Sequence, residues 1–237
     1  MNSAIFEILE SYNYPLKSAL IYKNEFTFLV AIILSAQSRD DFVNTQTPSL
    51  FDQHDSPEKI LELGNELFEY IKKIGLWRNK GKNILELCKQ IIQLKKTLNI
   101  KSWYESFYEK NFIEDDLNLF GPIISKEGIP SFRSGLLTLS GVGRKTANVF
   151  LNVVYNANVF PVDTHVIRLT NRLGISDNKN PLEIEKKLMD IVPEYYKNKI
   201  CHFLVYHGRT ICKAVKPKCS ECKLKEHCFF YKNKDII

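Results

Sequence analysis

Residues 136–150 read LLTLSGVGRKTANVF, and the fold turns on how this stretch is understood. An apolar helical end, Leu136, Leu137 and Leu139, runs into Ser140-Gly141-Val142-Gly143, and a second helical pattern, RKTANVFLNVV, follows at once. Two glycines two apart open backbone conformations closed to other residues and leave amide N–H groups unobstructed. A hairpin that ends at a helix N-terminus forms a nest for an anion such as a phosphate. An ordinary tight helix–helix connection carries the same G-x-G, so the glycines alone do not separate the two readings. Lys145 falls in the first turn of the second helix. Most lysines are solvated surface groups. The positive end of a helix, however, is an unfavourable place for an ammonium, and a neutral amine is a nucleophile able to form a Schiff base.

Eighteen residues beyond Lys145, Asp163 stands within Pro161-Val-Asp-Thr-His165. Asp163 or Thr164 suits the N-cap of the helix THVIRLTNRLG. A carboxylate there is also able to face Lys145 across a cleft between the two helices.

Further on, Cys212, Cys219, Cys222 and Cys228 are spaced C-x6-C-x2-C-x5-C. Four thiolates from one short loop are what a [4Fe–4S] cube or a tetrahedral zinc requires. Four unrelated core cysteines would bury intervening residues such as Lys213, Lys216, Lys218, Glu221 and Lys225, which cannot be packed inside. Zinc sites usually come as two short pairs, and Cys219–Cys222 is the one short pair here, so the spacing leans toward iron–sulfur. The lysines between the first two ligands make a basic loop able to dock on a phosphate backbone. Cys88, on an apolar helical face, and Cys201 read as small core residues.

The rest of the chain reads as helices. Residues 57–73 and 80–97 place their apolar residues near a 3.6-residue period, with Gly75 and Gly81 as punctuation. Ser56 suits the N-cap of the first, with Pro57 at its first helical position. Residues 165–173 and 181–193 give two more amphipathic segments. Phe26 to Ala36 (FTFLVAIILSA) is 11 residues long. A spanning helix needs roughly 20 apolar residues, so this one is a buried core helix. Ten Gly and nine Pro in 237 residues argue against a many-turned all-β architecture. Apolar residues are 44% and charged residues 25%, which rules out wholesale disorder. The net charge of +6 permits a polyanionic partner without demanding one. The N-terminus lacks a basic n-region, so a cytoplasmic protein is expected. Residues 99–130 break the rhythm with aromatics, the acidic trio Glu114-Asp115-Asp116 and Gly121-Pro122. They read as either a mobile insertion or a further helix with its own satellite core.

LSGVGRKTA, VDTHV and the cysteine loop together resemble the endonuclease III family of DNA glycosylases, helix-hairpin-helix enzymes that carry a [4Fe–4S] cluster. The likeness extends to LSAQSRDDFVN (34–44), IKKIGLWRNKGKNI (71–84) and YHGRTIC (206–212). The resemblance implies an all-α, two-domain helix-hairpin-helix fold with a C-terminal iron–sulfur loop. A six-helix domain would span 18–157, with an insertion at about 99–130. Residues 1–17 and 158–237 would form the cluster domain, leaving the active site in the cleft between the two. By the same likeness, Lys145 would displace the damaged base at C1′ and form the imine, with Asp163 stabilising positive charge on the sugar. Cys212, Cys219, Cys222 and Cys228 would hold the cluster. Gln37 would fill the space of an extruded base and Leu76 would wedge the opposite strand. Gly141, Gly143, Arg144, Thr146, His165 and Lys216 complete the expected DNA contacts. The implied activity is removal of oxidised pyrimidines from duplex DNA and cleavage 3′ to the lesion by β-elimination. The protein is expected to act as a monomer, nucleoid-associated if bacterial.

Three departures from the family pattern stand out. Ser140 replaces a common proline, and Arg39 stands where a small polar residue is usual. The segment near 99–130 is roughly thirty residues longer than in typical relatives, beyond ordinary loop lengths, and its acidic character places it away from DNA. An adenine-type mismatch glycosylase would look different at Lys145. A non-catalytic DNA-binding module would need neither Lys145 nor Asp163.

Overall fold

The computed structural model describes residues 3–97, 100–108 and 118–233. Among them are fourteen α-helices, short 3-10 turns and one isolated antiparallel bridge between Ile124 and Pro130, with no strand. None of these helices is long and apolar enough to cross a membrane. The chain divides into two compact units, Met1–Lys17 with Asn158–Ile237, and Ser18–Ala157.

The larger unit is built around α2 (Glu25–Ser35), in which every residue from Phe26 to Leu34 is buried. Asn24 starts this helix with a capping box. Its Oδ1 accepts from the Thr27 N–H at 2.8 Å, while Thr27 Oγ1 accepts from the Asn24 N–H at 3.0 Å. A carboxylate oxygen of Glu127 takes the Phe26 N–H, so the long insertion supplies part of the cap. α2 packs against α7 (Trp77–Lys95) and α10 (Arg144–Tyr155).

The pattern over 57–73 does not make one helix. α5 (Pro57–Leu63), capped by Ser56 Oγ on the Lys59 N–H, gives way to a 3-10 turn at Gly64, and α6 (Leu67–Ile71) follows. Gly64 at φ 50 supplies the break, a conformation that side chains disfavour. α3 (Asp40–Gln46) and α4 (Pro48–Gln53) are likewise split, because Pro48 cannot donate back into the preceding helix. Gly81 does not punctuate α7 but lies inside it. A Cβ there would collide with the Phe68 ring, so this glycine lets α7 and α6 approach closely. The unit thus holds nine α-helices among the described residues. Joining α3 with α4 and α5 with α6, and setting α8 aside, leaves six.

α8 (Ile100–Tyr108) opens the long insertion. Trp103 and Tyr104 meet the fully buried Phe132 edge-on, with ring centroids 5.7 and 4.9 Å away, and Ile123 joins them. The described part of the insertion therefore contains a helix with a satellite core. The acidic trio Glu114-Asp115-Asp116 lies outside the described residues.

The smaller unit gathers α1 (Ala4–Glu10), α11 (Thr164–Arg172), α12 (Pro181–Ile191) and α13 (Ile200–Thr210) around one core. Ile5, Phe6 and Leu9 of α1 enter it with Val166, Leu169 and Leu204. Cys88 and Cys201 are buried core residues in their respective units.

Phe132→Ala is expected to cost about 3 kcal/mol in urea unfolding, the usual penalty for emptying a fully buried aromatic site. Amide hydrogen exchange in α8 should accelerate in the same variant, because its two ring contacts go with the phenyl group.

Candidate functional site

α9 (Arg133–Leu137) and α10 are the two arms of the glycine hairpin. Buried Arg133 on the first donates Nε–H to Asn148 Oδ1 on the second at 2.7 Å. The turn between them is held from α7. Gln90 Oε1 accepts the Ser140 N–H at 2.7 Å, and Gln90 Nε2 donates to Thr138 O at 3.2 Å. A proline at 140 has no N–H and could not make the first of these bonds.

The two glycines differ in kind. Gly141 has φ 80, and a Cβ on it would stand 3.1 Å from Asn83 Cβ. Gly143 is extended, at φ −94 and ψ 176, values that any residue adopts. No atom lies within 4 Å of where its Cβ would be. Gly141 is thus what the turn requires, whereas Gly143 keeps space open beside the first turn of α10. No side chain caps that helix, and the first N–H groups of an α-helix have no intrahelical partner. Lys145 is exposed one residue inside it, between the half-buried Arg144 and Thr146. A donor nest and a primary amine share one helix end.

Gln37 and Leu76 stand at two turns of the same unit, and both are left-handed, at φ 57 and 58. Gln37 is exposed, and Leu76 is 57% exposed rather than anchored in the loop. The turns abut, since a Cβ on Gly75 would lie 3.7 Å from Ser38 Oγ. Arg39 is exposed beside them and pairs with Asp41 at 3.3 Å.

Lys145 belongs to the larger unit and Asp163 to the smaller. Asp163 is the N-cap of α11, its Oδ1 accepting the His165 N–H at 2.8 Å and the Val166 N–H at 2.9 Å. Its Oδ2 lies 3.3 Å from His165 Nδ1. The capping role and a carboxylate aimed elsewhere are therefore compatible, because one oxygen serves the helix and the other faces an imidazole.

The four cysteines line one cavity together with Ile211, Pro217, Phe230 and Tyr231. Sequence reading missed what fixes this loop. Arg168 of α11 donates Nη2 to Gly208 O and Cys212 O at 3.0 and 3.1 Å. One turn on, Arg172 donates Nη1 to Cys212 Sγ at 3.3 Å and to Lys213 O at 2.7 Å, and its own carbonyl faces Cys228 Sγ at 3.2 Å. The i, i+4 arginines in THVIRLTNR were the available signal. His207 is buried and holds Nε2 at 3.4 Å from Cys222 Sγ and Nδ1 at 2.9 Å from Tyr14 Oη. Burial lowers its pKa to about 4, so the ring is neutral. Burial also pushes the Cys222 and Cys228 thiols up, disfavouring bare thiolates. An all-thiolate donor set in such surroundings suits a cationic group that deprotonates its ligands outright. Among the described residues, no three His, Cys, Asp or Glu side chains form a ready site for a single metal ion. Lys216 is exposed at φ 50 on the same loop, outside the cavity wall, and Lys218 pairs with Glu221 at 3.3 Å.

Comparison with known proteins gives a consistent result. Residues 30–194 match the HhH-GPD superfamily, described as base excision DNA repair proteins. The chain is 44% identical over 230 residues to Endonuclease III of Rickettsia conorii, spanning 97% of this chain and 95% of that protein. It is 34% identical over 218 residues to Endonuclease III of Escherichia coli K12, spanning 92% and 89%. Among solved structures, a trapped endonuclease III–DNA covalent intermediate in an estranged-adenine complex superposes with TM-score 0.78 at 32% identity, over 98% of both chains.

The difference between the glycines is measurable. Gly141→Ala should lower unfolding free energy by about 1–2 kcal/mol, since a left-handed alanine meets the following carbonyl. Gly143→Ala should change it by less than about 0.5 kcal/mol, as surface substitutions without strain do. Equal losses in chemical denaturation would contradict the assignment of distinct roles.

Proposed function

Since the chain belongs to the HhH-GPD superfamily of base excision DNA repair proteins and is a DNA glycosylase with abasic-site lyase activity, we propose that it acts on oxidised pyrimidines in duplex DNA with Lys145 as its nucleophile. One observation carries this reading: an exposed primary amine in the first turn of α10, two residues past an open and uncapped helix start at Gly143. The backbone nest at Gly141–Arg144 receives a strand phosphate. The amine then reaches the adjacent sugar, while Thr146, His165 and Lys216 add further backbone contacts.

In this mechanism the Lys145 nitrogen lone pair forms a bond to C1′ as the C1′–N bond to the base breaks, and the departing base keeps that electron pair. Ring opening gives the imine. Loss of a C2′ proton then expels the 3′ phosphate, cutting the strand by β-elimination. Asp163 stabilises the positive charge that develops on the sugar and assists removal of the ammonium proton from Lys145. Its bonds to two backbone amides keep that carboxylate oriented at the helix start. Gln37 occupies the space left by the extruded base and Leu76 wedges the opposite strand.

Cys212, Cys219, Cys222 and Cys228 would hold a [4Fe–4S] cluster. When bound, its four iron–thiolate bonds cross-link a loop that has little core of its own. The resulting rigidity presents Lys213 and Lys216 to a phosphate backbone. Arg172 beside Cys212 Sγ and His207 beside Cys222 Sγ supply the hydrogen bonds around the sulfurs.

Borohydride added to the protein with a thymine-glycol duplex should trap a covalent protein–DNA band, absent with Lys145→Gln. Base release from the native protein without any band would replace this mechanism with direct hydrolysis.

Cys222→Ser should lose iron, labile sulfide and the associated visible absorption together. Retention of full iron and sulfide in that variant would remove Cys222 from the ligand set.

A further inference from the structure

Gln37 and Leu76 share an uncommon property. Both are non-glycine residues at left-handed φ, where Cβ crowds the following carbonyl, and such conformations persist only where their surroundings over-determine them. The residue that does this for both is Lys80, which no part of the chemistry above uses.

Lys80 lies on α7, one turn beyond Leu76, and its N–H bonds to Leu76 O at 3.0 Å. Its side chain is turned inward, and the residue is 5% exposed. Nζ donates to Leu34 O at 2.8 Å, to Ala36 O at 2.7 Å and to Ser38 Oγ at 3.4 Å. An ammonium has three donors, and here all three acceptors bracket Gln37. Leu34 and Ala36 close the C-terminal end of α2, where carbonyls without intrahelical partners attract a cation. Burial lowers the Lys80 pKa, and the charge-assisted bonds oppose that loss. Ser38, the third acceptor, is also the residue that abuts Gly75, next to Leu76. Backbone on one side and ammonium on the other thus join the two turns through a single residue.

We propose that Lys80 is a positioning residue that couples the Gln37 turn to the Leu76 turn, so that filler and wedge enter the duplex as one preformed unit. It touches neither base nor sugar and acts through those two residues. The proposal rests on the roles given to Gln37 and Leu76 above. Its signature is selective. Removing a base requires extrusion, whereas a preformed abasic site has no base to extrude.

The test compares native protein, Lys80→Met, Leu76→Ala and the double variant under single-turnover conditions, with thymine-glycol and abasic duplexes in parallel. Lys80→Met is expected to slow base release by about tenfold or more, the scale of loss when a positioned group shifts by a fraction of an ångström to an ångström. Strand cleavage at the preformed abasic site should slow by less than about threefold, because the Lys145 end of the site is untouched. The double variant should be no slower than Leu76→Ala alone, since the two changes break one unit. Equal slowing on both duplexes, or fully additive losses in the double variant, would overturn the coupling. Leu76→Ala impaired with Lys80→Met native-like would overturn it while leaving the wedge in place. Leu76→Ala itself native-like would sink the wedge reading and the coupling with it. Ser38→Ala removes one acceptor, leaves the helix carbonyls bonded, and should show the same selectivity more weakly. If Lys80→Met does not give a cooperative melt, Ser38→Ala decides, and its native-like behaviour on both duplexes counts against the proposal.

Discussion

A helix buried on all sides has only its ends through which to meet anything else, and in the larger unit that helix is α2. Burial of Phe26 through Leu34 removes all but its two end residues from water. The terminal amides and carbonyls then need partners from the protein. Asn24, Thr27 and Glu127 answer at one end, and Lys80 answers at the other. The positions of α7 and of part of the long insertion follow from that requirement. The hairpin is thus not a free-standing motif. It is held by Gln90 of α7 and by the contact of α10 with α2, so its geometry inherits the rigidity of the core.

The smaller unit solves a related problem with charge rather than bulk. α11 begins with Asp163 taking two backbone amides, and its two arginines grip the start of the cysteine loop. One nine-residue helix therefore orients the proposed catalytic carboxylate and anchors the proposed cluster ligands. Substitutions along it would be felt at both.

Much of this was legible because it is written in local patterns. The apolar run at 26–36, the G-x-G before a helix and four cysteines in one loop are each contained in a few residues. Local chemistry narrows the cap of α11 to Asp163 or Thr164, and the structure gives it to Asp163. What stayed hidden depends on neighbours distant in sequence. Lys80 sits in a helical stretch where a lysine reads as solvated, and nothing nearby signals carbonyls 44 and 46 residues away. Gly81 reads as punctuation, whereas its meaning is the Phe68 ring packed against it. Gly64 was hidden by the opposite error, because an unbroken apolar period ran straight through it. Aromatic composition alone allows a satellite core under α8 without specifying its partner, which is Phe132.

The pairing of α1 with α13 has a consequence for synthesis. Tyr14 meets His207, 193 residues later, and Tyr12 accepts the Lys223 N–H from 211 residues away. At about 5–20 residues per second, the apolar face of α1 waits roughly 10–40 s after leaving the ribosome before its partner exists. The larger unit is fully translated in the interval and is able to fold first. The smaller unit closes only once α13 has been made, and Cys212, Cys219, Cys222 and Cys228 follow α13 directly in the chain. Closure of the smaller unit is thereby tied to synthesis of the cysteine loop, since the Lys223 N–H that Tyr12 accepts lies within it.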